Sequence, residues 1–218
     1  MWELIRAGGL IMIPLGLLWL LALGVIGERL WTLRRAKVLP PKLTDEVKAW
    51  ARSARIERQH IDVLRQNSPL GAVLAEIVAN RHRVRDVIRS KAEDAGRQVV
   101  HELGRFLNLL GTIAIISPLM GLLGTVFGLI RMFLVVNQGG MGDAQRLAGG
   151  IGEALVATAS GLTVAIIAYF AHRYFRGQIV DFAVAMEREA NTLIDALEQP
   201  EPTAAPVPRP ERAEPVRR

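Results

Sequence analysis

The chain has 218 residues and a formal net charge of +6, and it contains no cysteine, which excludes disulfide bonds and thiolate metal sites. Hydrophobic residues make up 50% of the sequence. They are gathered into blocks, whereas a soluble domain alternates apolar and polar positions along its whole length. The composition and this block pattern together favour an integral membrane protein.

Three stretches carry no charged residue: 8–27, 106–130 and 154–171. A bilayer core about 30 Å thick needs about 20 apolar residues in a helix, so each stretch is predicted to cross a membrane. The first stretch is longer than the ~7–15 residues of a signal-peptide core, and the basic residues 29–37 follow it instead of preceding it. We therefore predict an all-α integral membrane protein with three transmembrane helices, the first of them retained.

The charge distribution predicts the orientation of these spans. Residues 29–105 contain 17 Lys and Arg against 9 Asp and Glu, whereas the connection at 137–148 between the second and third spans has one Arg and one Asp. Because positive residues stay on the cytoplasmic side, the N-terminus is predicted outside and the C-terminus inside. A basic face near anionic lipid accounts for the net charge, so no nucleic-acid partner is predicted.

The predicted organisation follows from these spans and from the position of the prolines. Six of the eleven prolines fall in the last 20 residues. It comprises a first transmembrane helix (1–28), a cytoplasmic helical region (29–105), a second transmembrane helix (106–136), a periplasmic connection (137–148), a third transmembrane helix (149–172), a cytoplasmic helix extension (173–198) and a disordered, proline-rich tail (199–218).

Local signals predict helices in the cytoplasmic region. A helical pattern resumes at Leu43 after two prolines, and Ser68 followed by Pro69 is typical of an N-cap and first helical position. Apolar residues recur every three or four positions from Ile88 to Phe106, which predicts one helix from 84 to 136. The same spacing from 175 to 197 predicts that the third span also continues into the cytoplasm, antiparallel to the second.

Small residues gather on one face of each long span and predict close helix packing. On the second span this set includes Gly121, Gly124 and Gly128, with Pro118 as a tolerated kink, and on the third span it includes Ala157 and Gly161. Thr125 and Thr158 lie on the same spans. Their hydroxyls are explained equally well by bonds to the preceding turn or to the facing helix.

Glu153 is a lone carboxylate at the head of the third apolar block, where an unpaired charge costs several kcal/mol. It either lies at the outer rim and caps the helix start, or relays protons in a packed or wet interior. Arg131 is expected to extend outward from the second span without a role. No catalytic triad, phosphate loop or metal-ligand spacing occurs, so neither an enzyme nor a cofactor is predicted.

The stretches "SPLMGLLGTVFGLI" (117–130) and "IGEALVATASGLTVAI" (151–166) resemble the paired signatures of the MotA/TolQ/ExbB proton channel family. The shared pattern is Pro-x-x-Gly-x-x-Gly-Thr-Val followed by Glu-Ala-Leu-x-Ala-Thr, and it covers both long spans. The segments "MWELIRAGGLIMIP" and "GERLWTLRR" resemble the ExbB-type members most.

The resemblance implies a homopentamer in the bacterial inner membrane, whose second and third spans line a central pore. Two copies of a single-span ExbD-type partner would sit in the pore, and the complex would use the proton-motive force to drive a TonB-type protein. Thr125 and Thr158 would be pore threonines, and Glu153 the family's interior glutamate. A TolQ-like role in the Tol-Pal envelope system and a passive membrane scaffold remain alternatives, whereas the lack of internal repeats argues against a secondary transporter.

Overall fold

The structure is a computed structural model that describes residues 9–52, 58–137 and 144–198, and its elements in these ranges are helices. They are α1 (Met12–Thr32), α2 (Arg35–Val38), α3 (Leu43–Arg52), α4 (Arg58–Asn67), α5 (Pro69–Ala79), α6 (Arg85–Leu103), α7 (Leu107–Asn137) and α8 (Ala144–Glu198). The predicted tail (199–218) and residues 138–143 of the predicted connection (137–148) lie outside the described residues, and their character stays a prediction.

Three of these helices are long and apolar enough to cross a membrane: Met12–Thr32, Leu107–Leu134 and the apolar part of Ala148–Glu198. Large apolar side chains such as Leu119, Phe133 and Leu155 are exposed on them, as expected for surfaces that meet lipid or other subunits. The predicted all-α, three-span fold is confirmed. α1 continues through Glu28 and Arg29 to Thr32, because charged residues mark the edge of the apolar layer and do not end a helix.

The third span continues without a break into a helix of 55 residues. At 1.5 Å per residue α8 is about 82 Å long, far more than a bilayer core of about 30 Å. The predicted apolar seam is buried along its extension, at Phe175, Ile179, Phe182, Met186, Ala190 and Leu193. Periodicity therefore predicted this continuous helix correctly.

The prediction of one helix from 84 to 136 is wrong, because α6 ends at Leu103 and α7 begins at Leu107. Gly104 follows the last residue of α6, and the amide of Leu107 donates to the Gly104 carbonyl, 3.0 Å away. Glycine weakens a helix by about 0.5–1 kcal/mol relative to alanine, although Gly104 itself keeps right-handed backbone angles (φ −78°, ψ −6°). From α1, the buried Arg29 donates from Nη1 to the Leu103 carbonyl at 2.7 Å, which supplies a partner to an end-of-helix carbonyl.

The helices between the first two spans form a compact apolar cluster around α5. Ser68 accepts a hydrogen bond from the Gly71 amide at 3.0 Å, and Pro69 is the first residue of α5, as predicted. Leu70, Leu74 and Ile77 of α5 are buried. Since α5 contacts α4, α6 and α8, it anchors the intervening helices to the extension of the third span.

Candidate functional site

α7 and α8 approach each other through positions where a side chain would not fit. A Cβ atom added to Gly161 would lie 2.5 Å from the Ser117 carbonyl oxygen, and one added to Gly121 would lie 3.0 Å from the Ala157 carbonyl oxygen. Real Cβ atoms do not approach backbone oxygens this closely without a shift of the helices. The glycines therefore set the distance between the two spans.

The same interface continues towards the connected ends of the two helices and takes in the start of α1. A Cβ on Gly124 would lie 2.5 Å from the Ala157 Cβ and 2.9 Å from Ile11 Cγ2, and one on Gly128 would lie 3.0 Å from the Ala154 Cβ. Ala157 is completely buried. Gly124 and Ala157 thus lie where α7, α8 and the residue before α1 meet, and the other predicted glycines lie between α7 and α8.

Pro118 lies inside α7, where its missing N–H removes one helical hydrogen bond. Its neighbour Ser117 is completely buried, and the Ser117 hydroxyl makes no hydrogen bond within the described part of the chain. α7 therefore lacks one backbone hydrogen bond close to Ser117, whose carbonyl oxygen meets Gly161 of α8.

The hydroxyl groups of Thr125 and Thr158 each donate a hydrogen bond to a backbone carbonyl. Thr158 Oγ1 donates to the Gly121 carbonyl across the interface at 3.1 Å, whereas Thr125 Oγ1 donates to the Leu122 carbonyl of its own helix at 2.6 Å. Both side chains are partly buried. Neither hydroxyl contacts Glu153, so the structure of one chain does not bring the three predicted pathway residues together.

Glu153 is paired with a residue that the sequence interpretation left without a role. Arg131 Nη1 of α7 donates to Glu153 Oε1 of α8 at 2.8 Å. The carboxylate side chain is 23% exposed and the arginine side chain 56% exposed. Arg131 lies about 36 Å along α7 from Leu107, so the pair sits at the far edge of an apolar layer about 30 Å thick.

A second segment reaches the same carboxylate from Gly9, three residues before α1 begins at Met12. Gly9 has a φ of +66°, and a Cβ there would lie 1.7 Å from Glu153 Oε1. A cavity of about 270 Å³ adjoins this contact and is lined by Leu10 and Ile11, just before α1, and by apolar residues of α7 together with Arg131 and Glu153. The carboxylate is therefore enclosed by α7, α8 and the start of the α1 segment.

The position of Glu153 along α8 excludes a capping role. α8 begins at Ala144, about 13 Å before Glu153, and the helix dipole acts only within the first turn. The interpretation of Glu153 as a cap at the helix start is therefore wrong, although its position near the rim is consistent with the structure. Thr158 lies about 8 Å deeper along α8, and Thr125 lies about 9 Å deeper than Arg131 along α7.

The packed parts of both long spans lie within a segment that matches a known protein family. The sequence pattern of the MotA/TolQ/ExbB proton channel family matches residues 65–188, which include α7 and most of α8. The chain belongs to the MotA/TolQ/ExbB proton channel family. It is thus a membrane protein of a proton channel family.

Several relatives carry ExbB-type names. The chain is 35% identical over 188 residues to biopolymer transport protein ExbB-like 1 of Synechocystis sp., covering 84% of this chain and 74% of that protein. It is 33% identical over 187 residues to ExbB-like 3 of the same organism, covering 84% and 88%. The biopolymer transport protein ExbB of Xanthomonas campestris is 42% identical over 69 residues, covering 32% of this chain and 27% of that protein.

Arg131 and Gly9 are the contributors to the Glu153 site that sequence interpretation missed. A signal for Arg131 was present, because Arg131 follows the second charge-free stretch and Glu153 precedes the third. In antiparallel helices joined by a short connection, two such positions lie at the same depth. Gly9 had no comparable signal, since its contact with Glu153 depends on where α1 packs.

Within the described ranges, no group of three His, Asp or Glu side chains could hold a metal ion.

Proposed function

We propose that this family member is an ExbB-type subunit that, with an ExbD-type partner, couples the proton-motive force to TonB-dependent uptake across the outer membrane. The names of the relatives support the assignment to the ExbB branch. The observation that carries the proposal is the polar set on the two packed spans, with the Glu153–Arg131 pair at one edge and two threonine hydroxyls deeper in the apolar layer.

One chain supplies too few polar groups for a complete proton path. Glu153 and the two threonines make no contact with one another, and a path across about 30 Å of hydrocarbon needs water or further donors. A homopentamer with α7 and α8 around a central pore would concentrate five copies of this set. An ExbD-type span, present in two copies, would add the missing carboxylate, and Thr125 and Thr158 would face the lumen.

The proposed location is the bacterial inner membrane, with the N-terminus outside and residues 29–105 in the cytoplasm. The surplus of eight positive charges over residues 29–105 supports this orientation, from 17 basic and 9 acidic residues. Proton flow would then enter from the periplasmic side at Glu153. It would leave towards the cytoplasmic extension formed by α6 and the second half of α8.

The proposal is tested by deleting the gene in its natural host and measuring TonB-dependent uptake of a siderophore and of cobalamin. We expect both uptake rates to fall and to recover when the full-length chain is supplied on a plasmid. Affinity purification of the chain from solubilised membranes should recover an ExbD-type protein. Mass measurement of the purified complex should give five copies of this chain and two of the partner.

The same experiment separates the alternatives. Normal uptake combined with detergent sensitivity and leakage of periplasmic proteins would assign the chain to a TolQ-like role in the Tol-Pal system. A Glu153→Gln variant that restores uptake and envelope integrity to the deletion strain as fully as the wild-type chain would favour a passive membrane scaffold.

A further inference from the structure

A cleft of about 1010 Å³ lies beside the junction between α6 and α7. The end of α1, the short helix α2 and the first residue of α5 also line this cleft. Two of its lining residues mark its depth, because Glu28 directly follows the first charge-free stretch and Phe106 begins the second. The cleft therefore lies at the edge of the apolar layer, where lipid headgroups meet water.

More positive than negative charge lines the cleft. The basic side chains are Arg29, Lys37, Arg65 and Arg105, and the acidic ones are Glu28 and Glu102. Several of these charges are already paired, since Glu28 Oε2 lies 2.8 Å from Arg29 Nε and Arg65 Nη2 lies 2.5 Å from Glu76 Oε1. Lys37 and Arg105 are exposed, and neither forms an ion pair within the described ranges of the chain. The cleft thus has two cations that no carboxylate of the described chain neutralises.

The Phe106 ring brings a third cation to the same wall. Its centre lies 4.9 Å from the guanidinium carbon of Arg105 and 5.3 Å from that of Arg29, so these two carbons are at most about 10 Å apart. Arg29 is 3% exposed and is held in place by its bond to the Leu103 carbonyl. Two guanidinium groups this close repel each other, and an anion bound beside them would offset that repulsion.

Exposed apolar side chains lie next to the cleft on the membrane side. Leu30 and Trp31 of α1 are 55% and 61% exposed, and Leu109, one turn beyond Phe106 on α7, is 40% exposed. Tryptophan is enriched at membrane interfaces, where one part of the ring is in apolar and another in polar surroundings. Lys37 Nζ lies 3.3 Å from the centre of the Trp31 ring, so the aromatic ring and the cation are adjacent at this depth.

We propose that the cleft binds the headgroup of an anionic phospholipid, with its phosphate held by Lys37 and Arg105 above the buried Arg29. The acyl chains lie along the exposed apolar side chains of α1 and α7. A zwitterionic headgroup fits less well, because its ammonium group would approach the same cations. A soluble phosphate would make the polar contacts but would not use the apolar surface beside them. The inference goes beyond the proton-coupled function and does not depend on it.

Lipid binding to the full-length chain, purified in detergent in its natural assembly and stripped of bound lipid, tests the proposal. Native mass spectrometry measures binding of phosphatidylglycerol, of zwitterionic phosphatidylcholine and of glycerol 3-phosphate. We expect phosphatidylglycerol to bind most tightly. The double variant Lys37→Gln/Arg105→Gln should bind it at least about tenfold more weakly, since each basic group near a membrane surface contributes about a fivefold effect.

Two further double variants serve as controls. Lys91→Gln/Arg188→Gln removes the same two charges from exposed positions on α6 and α8 outside the cleft, and it should bind phosphatidylglycerol like the wild type. Lys37→Arg/Arg105→Lys keeps both charges and should also bind normally. The thermal midpoint of each variant, measured by circular dichroism, checks that the fold is retained.

Three results would overturn the proposal. The first is an equal loss of binding in Lys91→Gln/Arg188→Gln and Lys37→Gln/Arg105→Gln, which would mean that the overall charge of the chain attracts the lipid. The second is equal affinity for phosphatidylglycerol and phosphatidylcholine. The third is glycerol 3-phosphate binding as tightly as phosphatidylglycerol, which would make the occupant a soluble phosphate.

Discussion

The hydroxyl of Thr158 donates a hydrogen bond to the Gly121 carbonyl oxygen 3.1 Å away, and this bond joins the second and third spans. Gly121 also lies in the close contact between α7 and α8, since a Cβ there would lie 3.0 Å from the Ala157 carbonyl oxygen. The hydroxyl can therefore hold the two spans together and also offer its oxygen to water in a pore. Any test of its role in proton transfer has to separate these two contributions.

Thr158→Val and Thr158→Ser provide that separation. Valine removes the interhelical bond, which contributes about 0.6–1.7 kcal/mol in membrane proteins, so the thermal midpoint of the purified protein should fall. Serine keeps the hydroxyl and should preserve both stability and proton-driven uptake. Thr125→Val removes only a bond within α7, so we expect uptake to fall with little change in stability. Unchanged uptake in the Thr125→Val and Thr158→Val double variant would show that both threonines serve packing alone.

Gly161→Ala should destabilise the pair of long spans. The added methyl group would lie 2.5 Å from the Ser117 carbonyl oxygen, and such overpacking costs about 1–3 kcal/mol. Gly177→Ala is the control on the same helix, where an added Cβ has nothing within 4 Å and alanine favours the helix by about 0.5–1 kcal/mol. Unfolding in detergent micelles, followed by circular dichroism, measures both variants. Equal midpoints for the two would show that the closest approach of the helices adjusts freely.

The parts of the fold that the sequence predicted are those determined by local pattern or by contact with lipid. A charge-free block is required for crossing a membrane, so the three spans were evident from composition alone. The continuous α8 followed from a seam with helical spacing, of which Phe175 and Leu193 are buried members. Ser68 and Pro69 marked the start of α5 through local backbone chemistry.

The parts that the sequence did not predict depend on contacts between distant segments. The break between α6 and α7 coincides with a bond from Arg29 to the Leu103 carbonyl, 74 residues away along the chain. The partnership of Arg131 with Glu153 depends on how the two antiparallel spans are aligned and rotated. A periodic apolar pattern defines which face of a helix is buried, but it does not define the partner of a polar group at the helix end.

The orientation of the spans is open to a direct test, because the chain has no natural cysteine that would interfere. Single cysteines introduced at 143 and at 91 should react with an impermeant maleimide from opposite sides of the membrane in intact cells and inverted vesicles. We expect 143 to react from the periplasmic side and 91 from the cytoplasmic side, as the basic surplus of residues 29–105 predicts. Labelling of 143 only from the cytoplasm would reverse the topology and remove the basis for proton entry at Glu153.

Glu153→Gln should leave an assembled complex with strongly reduced proton-driven uptake. Glutamine keeps the shape of the side chain and can accept a hydrogen bond from Arg131, but it cannot take up or release a proton. The separate Arg131→Gln variant keeps the titratable carboxyl and serves as the comparison. Uptake is measured together with the amount of complex in the membrane, so that a loss of assembly is not mistaken for a loss of proton transfer. Wild-type uptake by Glu153→Gln would make the glutamate a structural residue.

Arg29→Met should loosen the junction between α6 and α7. The arginine is 3% exposed, its Nη1 bonds the Leu103 carbonyl at 2.7 Å, and its guanidinium carbon lies 5.3 Å from the centre of the Phe106 ring. Methionine fills part of the space but leaves the carbonyl without this partner, which costs about 1–3 kcal/mol. Arg34→Met, at an exposed position just after α1, is the matched control and should have no such effect. Hydrogen exchange at the amides of residues 104–107 should become faster in Arg29→Met and stay unchanged in Arg34→Met. Equal exchange rates in the two variants would show that Gly104 alone determines the break between α6 and α7.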